Sequence, residues 1–485
     1  MNNQQIRILN SLKEACSDPA LNQSTDAKLK AQLADVGVLA THLLVDLIDV
    51  PEIRKQVVSE LAAIAPQIEK LFSDRKRNTE SVQELARLAA TGDPAHFEAC
   101  MGIACSLQLE LQKLASSDAN ALVKRLALIE GESGKRILAA AAARTPQNTG
   151  VAPAAGQTKQ FDAEKLHQFI KRSFPEEKDL RVVEARFISG GSSKYTMVIR
   201  LSGVRHLPEE LILRGDSASS AGFGGASAVD EFRLLKTMYE QGVCVAKPLA
   251  VETSGNVFGT PFMLVERRPG VMIGHMFHMP PPNRTTGRDI AAKLAAIHRV
   301  PIDILGDWMR GAKVSTSTQV AATLEESYKN WQALQRPSPL FESAFKWLRE
   351  NVAIMDRSRG LVHGDYGLNN LLIDNERVSA ILDWEFMHIG NPAYDLGYFY
   401  YMAESLTSWQ DFLDAYREAG GTLPSQEELD YSIMFAVARL GVMTCQAEAA
   451  YRSGVTDGLF LSLAIGRNCH QQSLSRLHAL LNKVL

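Results

Sequence analysis

The sequence lacks features that mark several classes of protein. None of its six cysteines forms a CxxC pair, and buried free thiols are the simpler interpretation. The N-terminal residues MNNQQIRILN contain no apolar signal core, and no uncharged apolar run is long enough to cross a bilayer. We therefore expect a chain in a reducing, cytoplasmic compartment, with no membrane as a partner.

Charge of one sign is also missing. The formal net charge is only −3, so no bulk electrostatic attraction to nucleic acid or to an anionic membrane is predicted. Hydrophobic residues make up 46% and charged residues 22%, which is ordinary for a globular chain. A length of 485 residues predicts two or three domains.

Residues 1–142 are poor in proline and glycine and carry no catalytic constellation. Apolar residues recur there at helical spacing, for example at Leu29, Leu33, Val36, Leu39 and Leu43. This pattern predicts a bundle of about four to six amphipathic helices. Because the module lacks chemistry of its own, we hypothesise that it forms a homodimer or binds a protein partner.

The following segment, 143–160, is dominated by small residues, proline, threonine and glutamine. Few of its side chains could form a core, so it is predicted to be a flexible linker between domains.

Residues 161–270 show strand-like alternation, and a Gly/Ser loop, Ser189–Lys194, lies between the first two strands. Such a loop lets backbone N–H groups approach phosphate oxygens without a side-chain clash. A further strand ends at Arg214, and a helix that carries Glu231 follows. The Gly/Ser/Ala-rich stretch between them has no Walker lysine, so a flexible connector is the preferred interpretation.

The segment 361–400 carries most of the chemical information. Two apolar runs, 371–373 and 378–382, flank a polar turn and predict a β-hairpin. Asp365 and Asn370 precede this hairpin and Asp383 follows it, so the three side chains are expected to converge. Carboxylate and amide oxygens suit Mg²⁺, and a further Asp can orient or deprotonate a hydroxyl. These are the groups that phosphoryl transfer requires.

Three motifs in this segment carry a resemblance to a known family. They are His363-Gly364-Asp365 with Asn370 five residues later, Ile381-Leu382-Asp383-Trp384-Glu385, and Gly390-Asn391-Pro392-Ala393-Tyr394-Asp395-Leu396. In order and spacing they resemble the aminoglycoside phosphotransferase family, which is similar to choline kinases and distantly to protein kinases. The family usually has Asp in place of Asn391. The resemblance covers about residues 161–485 and leaves the helical N-terminal part uncovered.

The resemblance implies an α+β, bilobal protein kinase-like fold, preceded here by the all-α helical bundle. Residues 161–270 would form the small β-rich lobe. Residues 271–485 would form the large helical lobe, whose helical tail supplies the acceptor region.

It also implies roles for individual residues. Asp365 would be the catalytic residue, Asn370 and Asp383 the metal ligands, and His363 and Asp395 structural supports of the catalytic loop. Glu385 would lie near the metal without being a principal ligand. The expected nucleotide-binding residues are Gly190, Gly191, Ser192, Ser193, Arg214, Glu231, Glu266 and Arg267.

Four of these positions need comment. Arg214 stands where the family usually has Lys; it keeps the positive charge but changes reach and geometry. Glu231 would pair with it. Glu266 and Arg267 begin the segment that resembles the inter-lobe hinge, whose backbone would hydrogen-bond the nucleotide base.

The resulting expectation is a kinase that uses ATP or GTP with Mg²⁺ to phosphorylate a hydroxyl of a small molecule. A sugar, an amino alcohol, a hydroxyacyl thioester and an antibiotic all remain open as acceptors. The acids of the helical tail are scattered, which disfavours a polycationic antibiotic. Two alternatives remain: a non-catalytic nucleotide-binding module, and a scaffold that acts through residues 1–142.

Overall fold

A computed structural model describes residues 3–16, 36, 40–41, 43–144, 163–188, 194–216, 225–274, 279–453 and 466–484. The first helices described in full are α1 (Asn3–Cys16), α2 (Val50–Asp74), α3 (Glu80–Ala89), α4 (Phe97–Gln112) and α5 (Ser117–Arg144). The predicted linker lies almost entirely outside the described residues, because helix α5 ends at Arg144 and the description resumes at residue 163.

A mixed segment follows, with helix α6 (Ala163–Ser173), strands β1 (Arg181–Ile188), β2 (Lys194–Ser202) and β3 (Glu210–Asp216), helix α7 (Ala228–Glu240), and strands β4 (Pro248–Glu252) and β5 (Phe262–Glu266). The remaining elements are α8 (Arg284–His298), α9 (Thr316–Ala333), α10 (Pro339–Glu350), β6 (Gly360–Val362), β7 (Leu371–Asp374), β8 (Arg377–Ile381), β9 (His388–Gly390), α11 (Ala393–Leu406), α12 (Trp409–Glu418), α13 (Gln426–Arg452) and α14 (Gly466–Val484). The α+β class, with a β-sheet lobe followed by a helical region, is therefore confirmed.

The chain forms two compact units, and neither is a continuous stretch of sequence. The helical unit comprises residues 1–152, 320–354 and 430–485, and the mixed unit comprises residues 153–319 and 355–429. The predicted lobe 271–485 is thus divided, and parts of it join the helices of 1–142 in one body. The predicted acceptor tail is divided too, since α11 and α12 lie in the mixed unit and α14 lies in the helical unit.

The helical unit is built around α5, which packs against α2, α4, α10 and α14. Its glycines Gly131 and Gly134 allow the close approach of α14, because a Cβ at either position would overlap His478 or Leu474. The apolar side chains of α2 to α5 form a continuous core that includes Leu61, Ile64, Leu107, Leu111 and Leu126.

Buried polar contacts join the N-terminal helices to the start of α10. Glu130 of α5 accepts hydrogen bonds from Ser338 Oγ (2.6 Å) and from the Leu340 N–H (3.0 Å), at the start of α10. Gln108 of α4 donates to Pro339 O (3.0 Å) and Ser343 Oγ (2.8 Å). The first N–H groups of a helix have no partner within the helix. The N-terminus of α10 is thus completed by side chains that lie some two hundred residues away in sequence.

The mixed unit contains an antiparallel five-stranded sheet in the order β1-β2-β3-β5-β4. Residues alternate between its two faces, as strands require. Phe262 and Leu264 pack with α6, whereas Met263 and Val265 pack in the core that also holds Leu234 and Met238 of α7. Arg214 of β3 lies opposite Met263 of β5, so its side chain is on the face of the sheet that packs against α7.

One described helical stretch, Gln426–Ala450, has the length and mean hydropathy of a membrane span, and 56% of it is buried within the structure. Core helices of soluble proteins meet the same two criteria, so the stretch is weak evidence for a span.

Candidate active site

The candidate site lies at the open end of the predicted hairpin. Strands β7 and β8 pair antiparallel, with Leu371 opposite Ile381, and their turn residues Asn375 and Glu376 both have positive φ. Positive φ at both central residues matches the twist of a tight hairpin. Beyond the strands, the Leu382 N–H donates to Asn370 O at 2.8 Å, which brings residues 370 and 383 together.

Asp365 and Asn370 are joined directly by hydrogen bonds. Asn370 Nδ2 donates to the Asp365 carboxylate (2.8 Å) and to the Asp365 backbone oxygen (2.9 Å). Both partners can only accept, so the amide NH₂ faces Asp365 and the amide oxygen is left for another ligand. Burial raises the pKa of Asp365, while a hydrogen bond with Tyr398 opposes the rise.

Asp383 follows β8 in the left-handed backbone region, at φ 63°, which Asp adopts more readily than most residues. Its carboxylate forms an ion pair with Arg214. Burial raises the pKa of Asp383; the Arg214 charge lowers it, and the charges of Glu231 and Asp365 raise it again. Asp365, Asp383 and Arg214 therefore act on one another electrostatically.

Arg214 lies near the end of β3 and faces α7. Its Nε is 3.5 Å from Glu231 Oε1, so the predicted partners are close. The same Glu231 carboxylate lies 3.2 Å from Lys194 Nζ, at the start of β2, and accepts a hydrogen bond from the Trp384 N–H (3.3 Å). Burial alone would raise the pKa of Glu231, but Arg214 and Lys194 hold it below its usual value. Glu231 is thus an ionised carboxylate between two cations.

Asp395 accepts hydrogen bonds from the loop that carries Asp365. Its carboxylate accepts from the backbone N–H groups of His363 (2.8 Å) and Gly364 (2.9 Å) and from His298 Nε2 (3.1 Å). Gly364 has φ 86°, and a Cβ there would overlap Phe386 O. Burial opposes ionisation of Asp395, but the His298 hydrogen bond and neighbouring charges keep its pKa below the usual value.

His363 is fully buried, and both of its ring nitrogens are engaged. Nε2 faces Leu382 O at 2.9 Å and must donate, whereas Nδ1 faces the Asp365 N–H at 3.3 Å and must accept. The two contacts fix the orientation of the ring. This arrangement suits the predicted supporting role and leaves no ring nitrogen for proton transfer to a substrate.

The other predicted nucleotide-binding positions are less informative. Gly190, Gly191, Ser192 and Ser193 lie outside the described residues. The Glu266 N–H donates to Lys247 O (2.9 Å), so it is already used within the sheet, and the Arg267 side chain pairs with Glu210. A base-binding role for this segment therefore needs backbone groups other than the Glu266 N–H.

Comparison with known proteins fits this geometry. The model of the phosphotransferase enzyme family, APH, matches residues 184–430, about half of the chain. The chain belongs to the phosphotransferase enzyme family. The match spans Arg214, Glu231, Asp365, Asn370 and Asp383 and leaves out residues 1–183.

The curated relatives of this phosphotransferase family member carry other names. Acyl-CoA dehydrogenase family member 11 of Pongo abelii is 28% identical over 207 residues, which are 41% of this chain and 26% of that protein. Acyl-CoA dehydrogenase family member 10 of Mus musculus is 29% identical over 235 residues, 46% of this chain and 21% of that protein. The chain therefore spans about a quarter of the length of these relatives.

Among solved structures, one assigned as an aminoglycoside phosphotransferase from Ralstonia eutropha matches with a TM-score of 0.53. The match covers 67% of this chain and 99% of that chain at 19% identity. At this identity the likeness shows the phosphotransferase fold and nothing about the acceptor.

Two residues of the phosphotransferase site escape sequence reasoning. Lys194 ends a Gly/Ser loop and resembles any surface lysine, yet its ammonium is buried beside Glu231. Tyr398 belongs to an aromatic run that is most simply interpreted as helix core, yet its hydroxyl interacts with the Asp365 carboxylate. The strand register offered a signal for Lys194, because this residue lies opposite Asp216 on β3.

The residues present suit a magnesium ion. Within the described residues no group of three His, Cys, Asp or Glu side chains forms a complete metal cage. Mg²⁺ is usually held by one or two protein oxygens together with substrate phosphates and water. The amide oxygen of Asn370, turned away from Asp365, and the carboxylate of Asp383 supply that donor set.

Proposed function

We propose that this chain is a kinase that transfers the γ-phosphoryl group of ATP to a hydroxyl of a small molecule. The observation that carries the proposal is the convergence of Asp365, Asn370 and Asp383 at one end of a hairpin, with Arg214 paired to Asp383. Phosphoryl transfer depends mostly on positioning and on electrostatic stabilisation, and this site offers both.

The roles follow from the contacts. Asp365 accepts or orients the proton of the acceptor hydroxyl, and Asn370 and Tyr398 hold its carboxylate in place. Arg214 steadies the phosphates as charge moves to the leaving group. Asn370 and Asp383 would hold Mg²⁺, which when bound neutralises charge on the phosphates. Asp395 and His363 fix the loop that carries Asp365.

We propose a hydroxyacyl thioester as the acceptor. Its support is that the curated relatives are named as acyl-CoA dehydrogenase family members, although the chain spans only about a quarter of their length. The scattered acids of the mixed unit's last helices, such as Glu404 and Asp414, give no clustered site for a polycationic antibiotic. Sugars and amino alcohols are the next classes to test.

The rival interpretation is a nucleotide-binding module without turnover, for which the replacement of the usual Lys by Arg214 is the motive. Asp365, the residue that such a module would not need, is retained with its full set of partners. A further rival is a scaffold that acts through residues 1–142. Both rivals predict no phosphorylated product with any acceptor.

The decisive experiment combines a hydroxyl-metabolite screen with Asp365→Asn. The purified chain is incubated with Mg·ATP and acceptors, hydroxyacyl-CoA thioesters among them, and product is followed by mass spectrometry. Asp365→Asn is expected to lower turnover by at least about a hundredfold, the usual contribution of a general base. Its affinity for Mg·ATP should stay near that of the unaltered chain.

Asp374→Asn is the matched control, because Asp374 is exposed at the turn of the same hairpin. Asp383→Ala should weaken metal-dependent nucleotide binding as well as turnover. Equal turnover in Asp365→Asn and the unaltered chain would refute the assigned roles. Nucleotide binding without any product across the screen would favour the non-catalytic module.

A further inference from the structure

Lys194 is a buried cation that the phosphoryl-transfer roles above do not use. Only 5% of the residue is exposed, and its ammonium meets three acceptors. These are Asp216 Oδ1 (3.1 Å), Glu231 Oε2 (3.2 Å) and the backbone oxygen of Ala226 (2.8 Å). Removing a charge from water costs several kcal/mol unless it is paired and hydrogen-bonded. The three contacts of Lys194 are therefore needed to offset the cost of burying its ammonium.

The Glu231 carboxylate has two cationic neighbours, and Lys194 is the nearer. Lys194 Nζ lies 3.2 Å from Oε2, whereas Arg214 Nε lies 3.5 Å from Oε1 and makes no hydrogen bond among the described residues. The other end of the Arg214 guanidinium, Nη2, is directed at Asp383. Both cations therefore form ion pairs with Glu231, and Arg214 alone also reaches Asp383 at the hairpin end.

Lys194 also ties together the elements that carry this carboxylate. It lies opposite Asp216 in the β2–β3 register, and Asp216 accepts from the Ala228 N–H (3.1 and 3.2 Å) at the first residue of α7. Glu231 is one turn further along the same helix. One ammonium therefore fixes the start of α7 against the ends of β2 and β3.

We propose that Lys194 is a positioning residue of the nucleotide site, which neutralises Glu231 so that Arg214 remains directed at Asp383 and at the phosphates. The role rests on the proposed kinase function. Without Lys194, Arg214 would have to balance both Glu231 and Asp383, and the buried Glu231 carboxylate would draw its guanidinium away from the hairpin end.

The test is a pair of variants of the full chain, Lys194→Gln and the double variant Lys194→Gln with Glu231→Gln. Mg·AMP-PNP affinity is measured by titration calorimetry, and thermal unfolding is followed in parallel. Lys194→Gln should weaken nucleotide binding at least about tenfold, which is about 1.4 kcal/mol. The double variant should recover part of that loss, because the Glu231 carboxylate is gone.

Lys236→Gln is the control, because Lys236 is exposed on the same helix. A merely structural lysine would lower the unfolding temperature without changing affinity in the folded protein, and the second substitution would restore nothing. That result overturns the inference and leaves the kinase proposal intact. If Lys194→Gln does not fold, affinity in the double variant decides: loss of binding there overturns the inference, and retained binding supports it. Failure of the unaltered chain to bind nucleotide instead refutes the proposed function itself.

Discussion

A buried glutamate of the mixed unit, Glu231, and one of the helical unit, Glu130, have opposite surroundings. Glu231 of the mixed unit is 1% exposed and lies between Lys194 and Arg214. Glu130 of the helical unit is 6% exposed, and its hydrogen-bond donors, the Ser338 hydroxyl and the Leu340 N–H, are both neutral. The pKa of Glu231 is lowered despite burial, whereas burial raises the pKa of Glu130 to about 7.

Burial alone therefore does not decide the charge of a side chain; its hydrogen-bond donors and the neighbouring charges act against it. In the mixed unit the charges of Arg214 and Lys194 keep Glu231 ionised. In the helical unit the carboxyl group serves the N-terminus of α10 and carries a proton near neutral pH. Three substitutions test this contrast, from the largest expected effect to the smallest.

Glu231→Gln should give the largest loss of stability, about 3–5 kcal/mol, because it leaves two buried cations short of a partner. Since the folded pKa of Glu231 is lowered, its contribution is present above its unfolded pKa and is lost as pH falls. Urea unfolding at pH 7.5 and at pH 4 measures both the loss of stability and its dependence on pH. Glu240→Gln, exposed at the end of the same helix, is the control.

If Glu231→Gln unfolded at the same urea concentration as the control at pH 7.5, the ion network would be stabilising nothing. The comparison between the two units would then fail on the mixed-unit side.

Glu130→Gln should stabilise the folded chain at neutral pH, whereas Glu231→Gln should destabilise it. A raised folded pKa means that stability is lost as pH rises from about 4.5 to about 7, because the unfolded chain ionises first. The glutamine oxygen can accept from both Ser338 and Leu340, so the variant escapes this loss. Above pH 7 it should be more stable than the unaltered chain by up to about 3 kcal/mol, and near pH 4.5 the two should agree.

The measurement is urea unfolding of both proteins across pH 4.5 to 8. Glu132→Gln provides the reference, because Glu132 lies on the same helix with a side chain that is 40% exposed. A difference between Glu130→Gln and the unaltered chain that did not change with pH would contradict the raised pKa.

Ser338→Ala should have the smallest effect, about 1–2 kcal/mol, the usual cost of losing a helix cap. Ser338 Oγ accepts from the Phe341 N–H (3.1 Å) and donates to Glu130, so the loss should depend on Glu130. Ser408→Ala removes the corresponding cap of α12, where Ser408 Oγ accepts from the Asp411 N–H (3.2 Å). Thermal unfolding should show a smaller loss of stability in Ser408→Ala than in Ser338→Ala. Equal losses would mean that the bond to Glu130 adds nothing to the cap.

The candidate site could be predicted from sequence because its parts are local. Asp365, Asn370 and Asp383 lie within one short segment. The two strands of a hairpin begin and end at the same edge, so these residues are brought together. The strand and helix boundaries nearby follow from alternation and turn residues in the same way. Arg214 and Glu231 needed the family resemblance, because they lie far from the hairpin in sequence.

The remaining features could not be predicted, for physical reasons. A buried lysine such as Lys194 looks like an exposed one until its partners are assembled around it. The division into units depends on Gly131 and Gly134 receiving α14 and on Glu130 reaching α10, and helical periodicity contains no information about such distant partners. A glycine within a helical pattern indicates close packing but does not identify the element that packs against it.

The discontinuous make-up of the helical unit has a consequence for how the chain is made. A ribosome synthesises α5 long before it reaches α10 and α14, so the surface around Gly131 and Gly134 has no covering helix until α14 has been made. Closing loops of several hundred residues is slow compared with local helix formation. The hairpin between Asp365 and Asp383 is therefore synthesised before the helical unit can be completed.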